Sequence, residues 1–199
     1  MENVKRIFAL AVMLPAATFA QETVGNGLSY DYVGIGYTQI RMDTTFRASM
    51  HGTAIEGSKL INDEFFVQGT YFDTSTDNVR FLGRSLNINV DFKQYQLSLG
   101  YRKPLQPGTD LIATAGFAHA STRVARGASA TDTIYPVSLG VKSRLTNDIE
   151  GSAEGILADG DFAYLLNMQY KISDLYAVGG YLRHDKNSDV YALTVRFLF

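Results

Sequence analysis

The sequence holds no cysteine, no tryptophan and only four prolines in 199 residues. Without cysteine there is no disulfide, no zinc–thiolate centre and no thiol nucleophile. Charge is not lopsided either. The formal net charge is −2, and no run of lysine and arginine offers a track for nucleic-acid phosphates. Also missing is any mature stretch of the ~18 apolar residues that a membrane-crossing helix needs. With a mean hydropathy near zero, such a chain would ordinarily be read as water-soluble. One architecture escapes that reading. Membrane barrels alternate apolar and polar residues along each strand and average to neutral.

What is present begins with "MENVKRIFALAVMLPAATFAQ". Lys5 and Arg6 precede an apolar run from Ile7 to Leu14, then Pro15 and small residues up to Ala20. This is the layout of a secretory signal peptide, with cleavage expected after Ala20. The apolar run is too short to anchor the chain in a bilayer. The expected organisation is a signal peptide over 1–20 and a single domain over 21–199. Removal of Glu2, Lys5 and Arg6 moves the net charge from −2 to −3.

The dominant pattern in the mature chain has a period of two. Tyr191, Leu193, Val195, Phe197 and Phe199 share one face, and Ala192, Thr194, Arg196 and Leu198 share the other. The stretches 162–172, 133–145 and 94–102 alternate in the same way. The pattern predicts strands at 29–41, 51–61, 64–73, 90–103, 110–122, 133–145, 148–157, 162–172, 175–184 and 189–199. Every second connection carries tight-turn residues: Asn62-Asp63, Gln106-Pro107-Gly108, Thr146-Asn147-Asp148 and Ser173-Asp174. Intervening connections after the first, third and fifth strands are longer and polar. The expected fold is all-β, a transmembrane antiparallel up-and-down barrel of ten strands, with eight as the alternative.

Alternation alone does not say which face meets lipid. The polar face is built from Gly, Ala, Ser, Thr and Gln with sparse charge, whereas a water-facing surface is richer in Lys and Glu. The apolar face therefore meets lipid, and tyrosines and phenylalanines near strand ends form the interfacial belts. The inward charges then compose a lumen network of Glu56, Arg102, Lys142, Arg144, Glu150, Glu154, Lys171, Arg183 and Arg196. A three-residue turn at 146–148 sets Arg144 opposite Glu150 as an expected pair. Arg196 has Glu56, Glu154 or water as its candidate partners. Arg41, Arg47, Arg80, Arg84, Arg123 and Arg126 fall at the long-loop side, where they suit lipopolysaccharide phosphates; ordinary loop solvation is the alternative.

The ends of the chain resemble a known group. Leu28-Ser29-Tyr30-Asp31-Tyr32-Val33-Gly34-Ile35-Gly36-Tyr37 resembles the "SYNYVE-x-GY" opening of a family of small proteobacterial outer-membrane β-barrel proteins. Gly34 stands where that family commonly carries an inward glutamate. Tyr191, Leu193, Val195, Phe197 and Phe199 resemble the outer-membrane assembly signal, and Tyr95 to Tyr101 fits the same pattern. The resemblance implies export to the cell outer membrane and handling by the assembly machinery there. It implies no agreed biochemical activity.

Enzymatic signals are thin. His51, His119 and His184 are the only histidines, and His184-Asp185 lies at the expected rim, yet neighbours on a strand face opposite ways. "DTSTDN" (73–78) and "ADGD" (158–161) lack the spacing of a calcium loop. No catalytic residue, metal or cofactor is expected. The expected function is a monomeric barrel with a structural or surface-binding role and a lumen filled by side chains. Its expected partners are outer-membrane lipid, lipopolysaccharide and the assembly machinery, with no nucleic acid. A narrow pore for ions or small solutes is the alternative, and a rim enzyme the minor one.

Overall fold

A computed structural model describes residues 27–43, 46–81, 84–125 and 127–199, with the side chains of 46, 77, 80, 81 and 84–87 left out. The expected signal peptide, Arg126 and the side chains of Arg80 and Arg84 lie outside the described residues. The strands are β1 (Tyr32–Asp43), β2 (Phe46–Leu60), β3 (Phe65–Phe81), β4 (Arg84–Gln106), β5 (Thr109–Val124), β6 (Ala128–Ile134), β7 (Val137–Arg144), β8 (Ile149–Ala158), β9 (Asp161–Lys171), β10 (Tyr176–Asp185) and β11 (Ser188–Leu198). Neighbours pair antiparallel in chain order, and β1 pairs with β11 to close the ring. β6 and β7 are two halves of one stave: both pair with β5, β6 above and β7 below. The result is a closed ten-stave barrel, as the alternation predicts.

Pro136 causes the break between β6 and β7. The sequence reading placed it within a strand. Proline has no amide hydrogen to give to the ladder, so pairing lapses at Tyr135-Pro136 while the carbonyl of Pro136 still accepts from Gly116 (3.1 Å).

Three of the four tight turns share one device. Asn62 Oδ1, Thr146 Oγ1 and Ser173 Oγ each accept from the backbone amides two and three residues on, at 2.8–3.3 Å. A short polar side chain there satisfies amides that a tight reversal leaves unpaired. The fourth turn, Pro107-Gly108, uses a glycine at φ 74°.

At the opposite end, the expected polar loops over 42–50, 74–89 and 123–132 are largely strand. β2 pairs with β3 up to Phe46–Phe81, β3 with β4 up to Phe81–Arg84, and β5 with β6 up to Val124–Ala128. Above the lipid both faces of a hairpin can be polar, so the ladder extends without the apolar alternation that a sequence reading relies on. The rim is consequently stepped. It is tall over β2–β6 and low over β8–β11, where β8 and β9 are joined by a two-residue turn, Asp159 (φ 49°) and Gly160 (φ 83°).

The outer face is apolar in mid-strand. Leu139, Met168 and Leu193 are each about 60% exposed, which a water-soluble barrel would not tolerate over so large a band. Phe65, Tyr101, Tyr170, Tyr176 and Phe197 ring the tight-turn end; Tyr37, Tyr71, Tyr95, Tyr164 and Tyr191 ring the other. The residues read as an assembly signal all face outward, with Phe199 stacked on Phe197 (6.2 Å).

Candidate functional site

Side chains fill the lumen in two layers. Toward the long-hairpin end lies an apolar septum that includes Ile40, Met50, Phe72, Phe92, Ile134 and Leu165, all buried. Toward the tight-turn end lies a charged layer, and into it folds the segment ahead of β1. Leu28, Ser29, Tyr30 and Asp31 are buried rather than paired as the start of the first strand. The expected strand from residue 29 is thus corrected to one from Tyr32.

Polar bonds explain the turn inward. Glu150 accepts from Ser29 N (3.2 Å) and Ser29 Oγ (3.0 Å), and Lys142 Nζ donates to the Ser29 carbonyl. Tyr30 OH donates to Asp110 Oδ2 (2.8 Å), which also meets Arg102 (2.9 Å). Burial, with Asp110 alongside, holds the Tyr30 phenol well above its ordinary pKa, so it stays a proton donor. Asp31 takes Lys59 Nζ (2.8 Å) and Leu60 N (2.6 Å). Apart from the exposed Lys59, these side chains are buried with partners, as a low-dielectric interior demands.

The lumen residues named from the sequence divide among separate contacts. Arg196 bonds Glu56 through Nε and Gln169 through Nη1 (2.9 Å), with its guanidinium 5.1 Å above the Tyr32 ring. Gly34 explains the fit. It pairs with Arg196 on one side and Glu56 on the other, and a Cβ there would lie 3.0 Å from Arg196 Cγ and 3.1 Å from Glu56 Oε1. The carboxylate that Arg196 meets comes from Glu56 of the neighbouring strand. Lys142 (3.4 Å) and Lys171 (3.2 Å) both pair with Glu150.

Other expectations need correction. Arg144 is in register with Glu150, but its guanidinium donates to the Gly27 carbonyl because Ser29, Lys142 and Lys171 take up the Glu150 oxygens. Glu154 makes no ion pair among the described residues; it accepts from Ser138 Oγ (2.9 Å). Arg183 stands apart at the other end of the lumen, paired with Asp185 (2.8 Å). That same Asp185 accepts from Asn187 N, Ser188 N and Ser188 Oγ, bracing the β10–β11 turn. Asp110, Asp185, Gln169 and the 28–31 segment went unread as site residues. The inward parity of Arg183 would have found Asp185; Asp110 has no such signal, because its same-face neighbour Ile112 is apolar yet buried.

On the outer face, Arg41, Arg47 and Arg123 are exposed toward the long-hairpin end. Arg41 stacks over Tyr191 (5.2 Å) and Arg47 pairs with Asp43 (2.7 Å). Each histidine also faces outward beside a tyrosine of an adjacent strand: Tyr37–His51, Tyr95–His119 and Tyr164–His184. His184 is separated from Asp185, which points inward, and meets Asp189 instead (2.6 Å). The two acidic segments carry paired carboxylates, Asp73 with Lys93 (2.8 Å) and Asp161 with Lys186.

The family described as the outer membrane protein beta-barrel domain matches residues 7–194. Solved structures of similar shape include Ail, the attachment invasion locus protein of Yersinia pestis, at 16% identity, over 84% of this chain and 96% of that one, with a TM-score of 0.44. OprG from Pseudomonas aeruginosa aligns at 12% identity over 84% and 94%, TM-score 0.46. Neisserial surface protein A aligns at 14% identity over 84% and 96%, TM-score 0.46. No curated protein matches in sequence.

Proposed function

Because this chain belongs to the outer membrane protein β-barrel domain family, we propose that it is a sealed barrel with a structural and surface-binding role in the outer membrane, not a conduit. The observation that carries this reading is the double filling of the lumen. A permeant ion entering from the tight-turn end meets residues 28–31, pinned by Glu150, Lys142 and Asp110. One entering from the other end meets the apolar septum around Phe72 and Phe92. A charge in an apolar layer loses hydration with nothing to replace it.

The surface role falls to the exposed rim. Arg41, Arg47 and Arg123 stand above the tyrosine ring, at the level of lipid headgroups, and guanidinium groups bind phosphate in bidentate fashion. Lipopolysaccharide is the phosphate-bearing lipid of that leaflet and the proposed contact.

Planar-bilayer recording of the purified folded protein tests the seal. The expected record has no stable single-channel steps. Reproducible steps of fixed amplitude from the wild-type protein would refute it.

A further inference from the structure

Three side chains on the outer face of β1 and β2 form a hydrogen-bonded relay that the sealed-barrel reading does not use. Ser49 Oγ lies 3.3 Å from His51 Nε2. On the other side of the ring, His51 Nδ1 lies 2.6 Å from Tyr37 OH, and the two rings stack 6.0 Å apart. Gln39 Nε2 donates to Ser49 Oγ at 2.9 Å.

Two proton arrangements satisfy these contacts, and one of them suits a nucleophile. In that one Ser49 Oγ accepts from the Gln39 amide nitrogen and gives its own proton to His51 Nε2. With Nε2 accepting, the ring proton sits on Nδ1 and goes to the Tyr37 oxygen. That is the tautomer a serine nucleophile needs from its base, with a third group orienting the ring.

Local structure gathers the group. Ser49 and His51, two apart on a strand, share a face. The β1–β2 register runs unbroken past them, Ser49 opposite Arg41 and His51 opposite Gln39, while the β2–β3 register shifts alongside with its extra residue in β3. A cleft of about 790 Å³ opens over Ser49 and His51, bordered also by Arg41 and Arg47 and by the carboxylates Asp43 and Asp189. Below it on the same outward face are Ile35 and Ile55, both exposed to lipid. The relay thus sits where headgroup gives way to acyl chain, which is the depth of a lipid ester bond.

We propose that Ser49, His51 and Tyr37 form a hydrolytic site for the carboxylic esters of outer-leaflet lipids. Ser49 Oγ bonds to the ester carbonyl carbon while its proton passes to His51 Nε2. The ester C–O bond breaks, and the departing alkoxide takes that proton. Water then attacks the acyl-serine, His51 accepts a proton from it and returns it to Ser49, and the fatty acid leaves. The Gln39 amide, 2.9 Å from Ser49 Oγ, would donate to the oxyanion, and Arg41 at the cleft's edge would take the headgroup phosphate, Arg47 being paired with Asp43. Ser49 and His51 act as catalytic residues; Tyr37 acts as a positioning residue.

The test has two readouts on the folded protein. A long-chain alkyl fluorophosphonate is added and the modified peptide is located by mass spectrometry. Fatty-acid release is then followed in vesicles of phosphatidylethanolamine, alone or with lipopolysaccharide, and the two vesicle types separate the possible lipid sources. The expected outcome is an adduct on Ser49, no turnover by Ser49→Ala, and a loss of about 100-fold or more in His51→Asn. Tyr37→Phe is expected to lower kcat with KM unchanged. Absence of the adduct in the wild-type protein, or fatty-acid release that survives Ser49→Ala, would overturn the proposal whatever the variants' stability.

Discussion

Replacing Glu56 by alanine removes the carboxylate that Arg196 bonds inside the barrel. Both side chains are almost completely buried, so the guanidinium cannot recover hydration. Breaking a buried ion pair by deleting one partner costs about 3–5 kcal/mol. Gln169 retains one guanidinium hydrogen bond at 2.9 Å, which argues for the lower end, about 3 kcal/mol. Gly34 supplies the internal control. Gly34→Glu alone forces a second carboxylate against Glu56 Oε1, which is already 3.1 Å from the Cβ position, and should also destabilise. Gly34→Glu combined with Glu56→Ala moves one carboxylate to the adjacent strand, opposite the same arginine, and should recover part of the loss. With no tryptophan to serve as a fluorescence reporter, the folded fraction is best followed by heat-modifiable electrophoretic migration across a urea series. A Glu56→Ala variant within 1 kcal/mol of wild type, or a double variant no better than Glu56→Ala, would refute the argument.

Two further outcomes follow from the rim. Asp185→Ala should cost about 3 kcal/mol in the same urea series by stranding buried Arg183 and unbracing the β10–β11 turn, whereas His184→Ala, one residue away but outward, should stay within about 0.5 kcal/mol. Joint replacement of Arg41, Arg47 and Arg123 by glutamine should reduce phosphate-sensitive retention on immobilised lipopolysaccharide several-fold; unchanged retention would count against the guanidinium contact.

The barrel was legible because lipid enforces alternation. Where both faces of a strand lie in water or protein, that rule lapses, and so the hairpins above the tyrosine ring were read as loops. Parity also identified which charges point inward, Arg196 and Glu150 among them. It could not say who meets whom. Arg144 was paired with Glu150 by register, but that carboxylate is taken by Ser29 from 121 residues away, along with two lysines. A segment that leaves the sheet to enter the lumen has no periodic signature, and the Ser29-Tyr30 stretch looked like the start of a strand. The Ser49–His51 contact was hidden for a different reason. Its relay depends on Tyr37 and Gln39 of the neighbouring strand, which spacing along one strand does not reveal.

The inward fold of residues 28–31 also bears on how the barrel reaches its native state. Their bonds to Asp110 and Glu150 span 80 and 121 residues, and the β1–β11 seam spans nearly the whole domain. Contacts of such separation are slow to form because loop-closure entropy is spent before they repay it. Ser29 and Tyr30 can meet their partners only once β5 and β8 are in place, so occupation of the mouth follows assembly of that part of the wall. A barrel caught before that step would have its wall and its apolar septum but still lack its floor.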